Sequence, residues 1–520
     1  MILVREGQGA DRIESIRKHT HGGNRLMHTR TLLVPVLMCL STVVGCRQQE
    51  GAGEDLAMAL DSYIEAVMER FELPGLTVAV TRGGEIAYTG AFGVRSLNSG
   101  EPMRADYLFH MASVSKPFVA TAAMQLVEQG RMELDERVVT YLPYFELADE
   151  RYRQITVRQM LNHTSGMPDV EDYEWDRPQY DEGAAERYVR SLKDEQMIAA
   201  PGELWRYSNM AFDVMADVIA KVSGRPFEIY VKQNILDPLG MSESTFLYPE
   251  TPERLRTTGH VWRLGPVVSE VYPYNRRHAP SSTLNSSVLE MTKWASANLN
   301  RGELDGERIL TEESYEVLWN PSAEVAEDYH VGLSWFLGTY RGTRTIGHSG
   351  GDTGYSSQFM LLPEEGIGVI LASNYDRTPT GAIRDGVLDI LLGYEPTMPK
   401  QQVGMAFAKM YAEQGIDAAK ALYRRLAAEA ADEYVFGDRQ LNMVGYYFLR
   451  ENQVAEAIEV FEFNVQLFPD VANSYDSLGE AYLVNGDREL AIENYRKVLE
   501  LDPDSENAKR KLAELGAQPG

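Results

Sequence analysis

Ser113 and Lys116 stand three residues apart in FHMASVSKPFVATAAMQLVEQG (109–130), near the start of an apolar stretch with helical spacing. Lysine seldom goes inside unpaired, and burial lowers its pKa by disfavouring the charged form. The pair has two readings: surface decoration on a core helix, or a nucleophile with its proton acceptor. Ser-x-x-Lys is a weak pattern alone, since Ser15-Ile-Arg-Lys18 matches it as well. Context separates the two. Pro117 is tolerated only in the first turn of a helix, which puts Ser113 at a helix N-terminus, where N–H groups and the dipole favour developing negative charge. The i, i+3 spacing sets both side chains on one face, with Cβ atoms about 5–6 Å apart. With Phe118, Ala122 and Leu126 burying the helix, the partly desolvated amine of Lys116 is suited to take the serine proton.

Two further elements supply what such a pair needs. Pro201-Gly202-Glu203-Leu204-Trp205-Arg206-Tyr207-Ser208-Asn209 delivers a Tyr-x-Asn just before a helix-like segment, and no other Tyr-x-Asn occurs in the chain. A Tyr207 phenol near an ammonium can be held ionised as a general base, and an Asn209 amide beside it can bind a substrate carbonyl. The bland reading is a capping segment with a core tyrosine. Gly347-His348-Ser349-Gly350-Gly351 ends a strand-like run and has glycine where bulk would block approach. A substrate lying along that edge gains backbone hydrogen bonds, and the N–H of Gly351 can share an oxyanion with the N–H of Ser113. Alone, this run reads as a turn. His163, beside Thr164 and Ser165, reads as a structural residue holding a loop behind the nucleophile helix. The nine histidines show no H-E-x-x-H or comparable spacing, so neither a metal nor a cofactor is inferred.

In chain order Ser-x-x-Lys, Tyr-x-Asn and His-x-Gly resemble the penicillin-recognising serine hydrolases of the class C β-lactamase type, which also include DD-peptidases and esterases. Leu161-Asn162-His163-Thr164-Ser165-Gly166 and Pro238-Leu239-Gly240-Met241 look like recurrent segments of that family, and the likeness runs from about Leu56 to Leu392. The resemblance implies Ser113 as nucleophile and Lys116 with Tyr207 as the proton-handling pair. It implies Asn209 as a substrate and lysine contact, His348 and Gly350 as substrate-binding positions, and Ser113 and Gly351 as oxyanion-hole donors. His348 stands where β-lactamases usually carry lysine, and where some DD-peptidases and many esterase-like members have histidine. A mostly neutral histidine weakens the fixed positive charge for a substrate carboxylate. The implied activity is cleavage of an ester, amide or D-peptide bond through an acyl-enzyme on Ser113. The alternatives are a β-lactamase proper and a non-catalytic binding module on a hydrolase fold.

The elements that must position these residues read as an α+β fold. LTVAVTRGGEIAYTGAFG (76–93) gives two strands around a Gly83-Gly84 hairpin turn. VGLSWFLGTY, TRTIGHSGG, YSSQFMLLP and GIGVILASN give strands near the other end of the block. YSNMAFDVMADVIAKVSG (207–224) reads as a helix closed by Gly224. The terminal segments are expected to share one antiparallel sheet flanked by helices, with the helical middle as a lobe beside it.

Beyond Glu395-Pro396-Thr397-Met398-Pro399 the chain reads as purely helical. Gly445 and Gly479, Phe448 and Tyr482, Ala457 and Ala491, Phe461 and Tyr495, and Pro469 and Pro503 are each offset by 34 residues. Small residues where helices touch, aromatics between them and a closing proline at this period indicate tetratricopeptide repeats. A degenerate first unit is read at about 403–436, making three units that share a core. The expected organisation is a presequence and signal over 1–46, a tether over 47–55, a hydrolase-like domain over 56–395, a linker over 396–402 and repeats over 403–516. The repeats are expected to dock a protein or peptide partner.

The totals agree with several domains. The chain has 520 residues, 44% hydrophobic and 24% charged, and a formal net charge of −27, which argues against nucleic acid as a partner. From Met27, MHTRTLLVPVLMCLSTVVGCRQQ has a basic start, an apolar run too short to span a bilayer, and Val43-Val44-Gly45-Cys46, which resembles a bacterial lipobox. Cys46 is then the lipidated first residue, and the membrane is met through that anchor alone. Only Cys39 and Cys46 are present, so the mature chain has no pair for a disulfide, which fits export. Arg47 is not the acidic residue associated with inner-membrane retention, so the expected place is the cell envelope, at the outer membrane if the host has one.

Overall fold

The computed structural model describes residues 37–518, with side chains from residue 53 onward. The presequence to residue 36 and the Cys46 side chain lie outside the described residues. Among those described, no helix is long and apolar enough to cross a membrane.

The first two strands are β1 (Gly75–Arg82) and β2 (Glu85–Gly93). The turn between them uses Gly83 and Gly84 at φ +60° and +88°, the left-handed conformation that a tight hairpin demands. The remaining six strands of the sheet are β3 (Ala323–Ala326), β4 (Tyr329–Val331), β5 (Phe336–Tyr340), β6 (Thr343–Asp352), β7 (Tyr355–Leu362) and β8 (Ile367–Ser373). They form one eight-stranded sheet in the order β2-β1-β8-β7-β6-β5-β4-β3. The pairs are antiparallel throughout, and Val78 sits opposite Leu371 where the two ends of the domain meet. The expected single strand VGLSWFLGTY is two: Ser334 adopts φ +72°, and the Gly332 N–H bonds back to the Trp335 carbonyl, turning the chain between β4 and β5.

Side chains alternate across the central strands. Ala79, Ile370 and Ala372 face the helical lobe, whereas Leu76, Val78, Val80, Val369 and Leu371 face the other way. On the lobe side lie α2 (Lys116–Glu128), α3 (Asn209–Ser223) and α4 (Val288–Leu299), with Phe118 stacked on Trp294 at 4.1 Å. The opposite face is covered by residues 60–67 of α1 (Leu37–Phe71) and by α5 (Thr380–Leu391). Leu60, Tyr63, Ile64 and Val67 of α1 are buried at helical spacing. The stretch expected as a tether, 47–55, is therefore helical, because a helix fixed by a packed segment extends at little cost per added residue.

The repeats are α6 (Val403–Gln414), α7 (Ile416–Glu429), α8 (Asp438–Arg450), α9 (Val454–Leu467), α10 (Ala472–Asn485), α11 (Arg488–Leu501) and α12 (Glu506–Glu514). They make three helix pairs and a closing helix. The 34-residue offset has a direct cause. A Cβ at Gly445 would lie 2.3 Å from the Phe461 ring, and one at Gly479 would lie 3.3 Å from the Tyr495 ring, so each glycine lets its aromatic close on the neighbouring helix. Hydrolase fold and repeats belong to one compact unit, and the outer face of the sheet shares an apolar core with α6 and α8.

Candidate active site

The turn that carries Ser113 is a strained piece of backbone. Ala112 adopts φ +48°, rare for a residue with a Cβ, and Ala112–Ser115 form one 3-10 turn ahead of α2. Ser113 thus lies one turn before the α-helix proper, which starts at Lys116. Three contacts hold the turn. The Met111 N–H donates to the Leu284 carbonyl at 2.8 Å, the Leu284 N–H donates to Ser115 Oγ at 3.0 Å, and Ser357 Oγ donates to the Met111 carbonyl at 2.7 Å. Gly350 of β6 allows the approach: a Cβ there would lie 2.3 Å from the Met111 oxygen and 3.1 Å from Ala112 Cβ.

Lys116 is fully buried, and its Nζ lies 2.9 Å from Ser113 Oγ, 2.6 Å from Asn209 Oδ1 and 2.7 Å from the Ser281 carbonyl. Burial pushes its pKa from 10.5 down to about 7, with Asp213, Asp352 and Asp169 opposing. Both protonation states fit these three partners. A neutral amine has two N–H groups for Asn209 and Ser281 and one lone pair for the Ser113 hydroxyl proton. Once it takes that proton, the ammonium donates to all three oxygens.

Tyr207 stands over the same lysine, with Nζ 5.0 Å from its ring centroid. Burial pushes its phenol up, and a hydrogen bond with Ser113 only partly opposes this. The expectation of an ionised phenol is thus corrected. With Lys116 near neutrality there is little positive charge to hold a phenolate, so Tyr207 stands as a neutral O–H beside the serine. The capping reading of this segment holds as well, since Ser208 caps α3 by accepting from the Ala211 N–H. Gly224 closes α3 at φ +73°.

Asn209 is committed. Its Oδ1 accepts from Lys116, its Nδ2 donates to Asp169 at 3.0 and 3.3 Å, and its N–H donates to Asp169 at 2.7 Å. It positions the lysine, with Oδ1 on Lys116 and Nδ2 on Asp169. His163 is buried at φ +62°, accepts the Ser208 N–H at 3.2 Å on Nδ1 and stacks on Tyr207 at 4.2 Å. It supports the tyrosine segment, in line with the structural reading.

His348 and Gly351 lie on a half-open strand. β5 pairs with β6 only from Thr343 to Gly347, so His348 to Asp352 have a strand neighbour on the β7 side alone. A Cβ on Gly351 would meet nothing within 4 Å, which leaves room along this edge for a ligand's backbone. The His348 Nδ1–H donates to the Ser349 carbonyl at 2.7 Å, and its Nε2 is buried without a partner. Burial, with Lys116 adding to it, pushes this imidazole down to about 3, so it is neutral.

Four neighbours carry no motif in the sequence. Asp169 anchors Asn209, the Ser281 carbonyl anchors Lys116, and Asp213 pairs with His278 at 2.6 Å with both side chains fully buried. Asp352, next to Gly351, accepts from Ser282 Oγ and pairs with His110 Nε2 at 2.8 Å. Only a weak local signal exists for Asp169, a carboxylate just past the Ser165-Gly166 turn.

A family model described as Beta-lactamase matches residues 60–393, and a tetratricopeptide repeat model matches residues 472–505. The chain belongs to the beta-lactamase family. Within the family it is 34% identical to Esterase EstB of Burkholderia gladioli over 41% of this chain and 57% of that one. It is 28% identical to Penicillin-binding protein 4* of Bacillus subtilis over 66% of this chain and 77% of that one. The chain thus spans little more than half the length of the esterase. Among solved structures, an octameric penicillin-binding protein homologue from Pyrococcus abyssi aligns at a TM-score of 0.59 and 26% identity, over 68% of this chain and 81% of that one. A beta-lactamase/D-alanine carboxypeptidase from Pseudomonas syringae has the same fold, at a TM-score of 0.56 and 21% identity over 66% of this chain and the whole of that one. The protein thus carries this family's fold over residues 60–393, with tetratricopeptide repeats at its C-terminal end.

Proposed function

We propose that the protein cleaves an ester, amide or D-peptide bond through an acyl-enzyme on Ser113. The observation that carries this is the Lys116 amine, buried, near neutral and 2.9 Å from Ser113 Oγ. Lys116 Nζ takes the Ser113 proton as Oγ bonds to the substrate carbonyl carbon. The carbonyl oxygen becomes an oxyanion facing the Ser113 and Gly351 N–H groups. As the tetrahedral species collapses, the leaving oxygen or nitrogen receives a proton through Lys116 and the neutral Tyr207 O–H. Water then repeats the sequence on the acyl group and restores Ser113.

The repeats dock a protein or peptide, as their groove-forming helix pairs suit. Cys46 carries a lipid after export and holds the enzyme at the cell envelope, a reading that rests on Val43-Val44-Gly45-Cys46.

The test is turnover of p-nitrophenyl butyrate and a chromogenic cephalosporin by the chain from residue 47 and by its Ser113→Ala variant. Ester cleavage by the first and none by the second is expected. Equal turnover by the variant, or no labelling of folded protein by a serine-directed phosphonate, would remove Ser113 from the chemistry. Faster deacylation of the cephalosporin than of the ester would make the protein a β-lactamase.

A further inference from the structure

Between Leu161 and Ala184 the chain forms no helix or strand, and the start of its 168–183 stretch touches the site: the Pro168 carbonyl accepts from Ser208 Oγ at 2.6 Å and Asp169 accepts from the Asn209 N–H at 2.7 Å. A loop of this length inside a packed domain is usually functional. This one is built into place. Asn275 accepts the Gln179 N–H at 3.1 Å and donates to the Tyr173 and Glu174 carbonyls at 3.3 and 3.4 Å. Arg277 pairs with Glu174 at 2.7 Å. At its start, Asp169 accepts from Asn209, whose Oδ1 holds Lys116.

The loop's chemistry is one-sided. Residues 168–183 contain seven carboxylates and a single basic residue, Arg177, which is itself within 3.3–3.7 Å of Glu174, Asp172 and Asp176. Tyr173 and Trp175 stack at 4.7 Å and 18°, half-buried, with Tyr173 edge-on to His278 at 5.0 Å. Across the cleft, Asp352 follows the open Gly351 edge directly and keeps 13% of its side chain exposed. The nearby cations are engaged. Lys116 has three oxygen partners, Arg277 holds Glu174, and Arg276 holds Glu228 at 2.9 Å. His348 adds no charge at neutral pH. Paired aromatic faces beside carboxylates suit a cationic or a neutral flat group.

We propose that the 168–183 loop and Asp352 make the Ser113 cleft selective for uncharged or cationic substrates, and that esters and amides bearing a carboxylate are turned away. This inference rests on Ser113 as the nucleophile. Asp169 and Asp352 both act on the Lys116 amine, and charges closer than a Debye length of about 8 Å are poorly screened. Exposed Arg206, one residue before Tyr207, is the group that would oppose them.

The test uses the full chain and three p-nitrophenyl esters of similar size: the pentanoate, the monoglutarate and the 4-(trimethylammonio)butyrate. At low salt, kcat/KM for the neutral and cationic esters is expected to exceed that for the anionic one by about tenfold or more. Added salt of about 0.5 M is expected to narrow the gap by screening, and Asp352→Asn is expected to narrow it about threefold through the lost charge. The ratio between esters is the readout, so a general loss of activity in the variant does not mimic the effect. Equal or better turnover of the anionic ester overturns the proposal, and loss of that preference in Arg206→Gln would assign the anion to Arg206. A gap that neither salt nor Asp352→Asn moves also overturns it, since shape would then be the cause. If none of the esters is cleaved, the Ser113 reading fails first; cleavage without discrimination sinks this inference alone.

Discussion

Around Lys116 each contact is one polar atom facing one partner, at 2.6, 2.7 and 2.9 Å. Where the repeats meet the hydrolase fold, the contact is a pad of side chains. Trp262 of a small hairpin, His260–Trp262 with Pro266–Val268, lies 4.9 Å from the Tyr447 ring of α8. Arg70–Glu433 at 3.1 Å, Lys409–Glu72 at 3.5 Å and Arg263–Glu451 at 3.8 Å rim it, partly exposed to water. Exposed pairs contribute about 0–1 kcal/mol each, so the apolar pad carries the attachment. A polar net depends on distances of a few tenths of an ångström, whereas apolar contact tolerates sliding and scales with area. The cleft should therefore lose chemistry before stability when altered, and the seam the reverse. It also follows that removing residues 397–520 uncovers part of a shared core, so the hydrolase fold is not expected to stand alone as freely as a tethered domain would.

The largest effect expected is at Lys116. Lys116→Met is expected to lower kcat/KM by about 10^3-fold or more, with no loss of thermal stability, since it exchanges a buried amine for an apolar chain. In the unaltered enzyme, kcat/KM for a neutral ester should rise with pH and level off, with its midpoint at about 7. The sign follows from burial: the amine is free to accept the Ser113 proton only above its lowered pKa. His348, held down near 3, adds no limb in that range. A midpoint near 10 would mean that Lys116 stays charged and that another group accepts the proton.

A paired measurement sharpens the contrast. Gly350→Ala drives a methyl against the Met111 carbonyl and shifts the nucleophile turn, for an expected loss of about 10^2-fold in kcat and little change in Tm. Trp262→Ala is expected to cost about 3 kcal/mol of stability while leaving kcat at 25 °C within about twofold, a factor worth less than 1 kcal/mol of barrier. Should Trp262→Ala lose activity in folded protein, the seam and the cleft are coupled. The hairpin offers a route for that outcome, since Gly259 and His260 pack on Gly354, two residues after Asp352.

What the sequence shows of the cleft is what lies on single segments. Ser113, Lys116, Tyr207, Asn209, His348 and Gly351 sit in short motifs that mark them as candidates together. The residues that tune them do not. Ser281 is 165 positions from Lys116, and Asp352 is 242 from His110, and such pairings arise only when the lobe closes on the sheet. Tyr207 was legible as a site residue but not its charge state, because protonation depends on how deeply Lys116 and the phenol are enclosed. The sheet was legible through Gly83-Gly84 and the apolar runs, while the break at Ser334 was not, since serine carries no strong signal for a positive φ. The repeats were plain because each 34-residue unit repeats one packing solution. The docking of those repeats had no local signature at all, since the apolar residues at 60–67 and 403–408 also suit an ordinary core.

The smallest effect tests the seam's electrostatics. Asp376 follows Tyr375 at the edge of the hairpin contact, its Oδ1 buried without a partner and Arg377 4.0 Å away. Burial raises its carboxyl from 3.8 to about 6, with Arg377 opposing. Between those values the folded chain holds a proton that the unfolded chain has released, so this group's contribution falls as pH rises from about 4 to about 6. At neutral pH its ionised form is a cost to folding. Asp376→Asn is expected to raise stability by about 1–2 kcal/mol at neutral pH, after screening, and to leave it unchanged below about pH 4, where aspartate is protonated in both states. Thermal melts of the two proteins at these two pH values decide it. Destabilisation at neutral pH would mean that Asp376 holds Arg377 and Arg450 as an ion-paired latch, and the seam would then depend on fixed polar distances just as the cleft does.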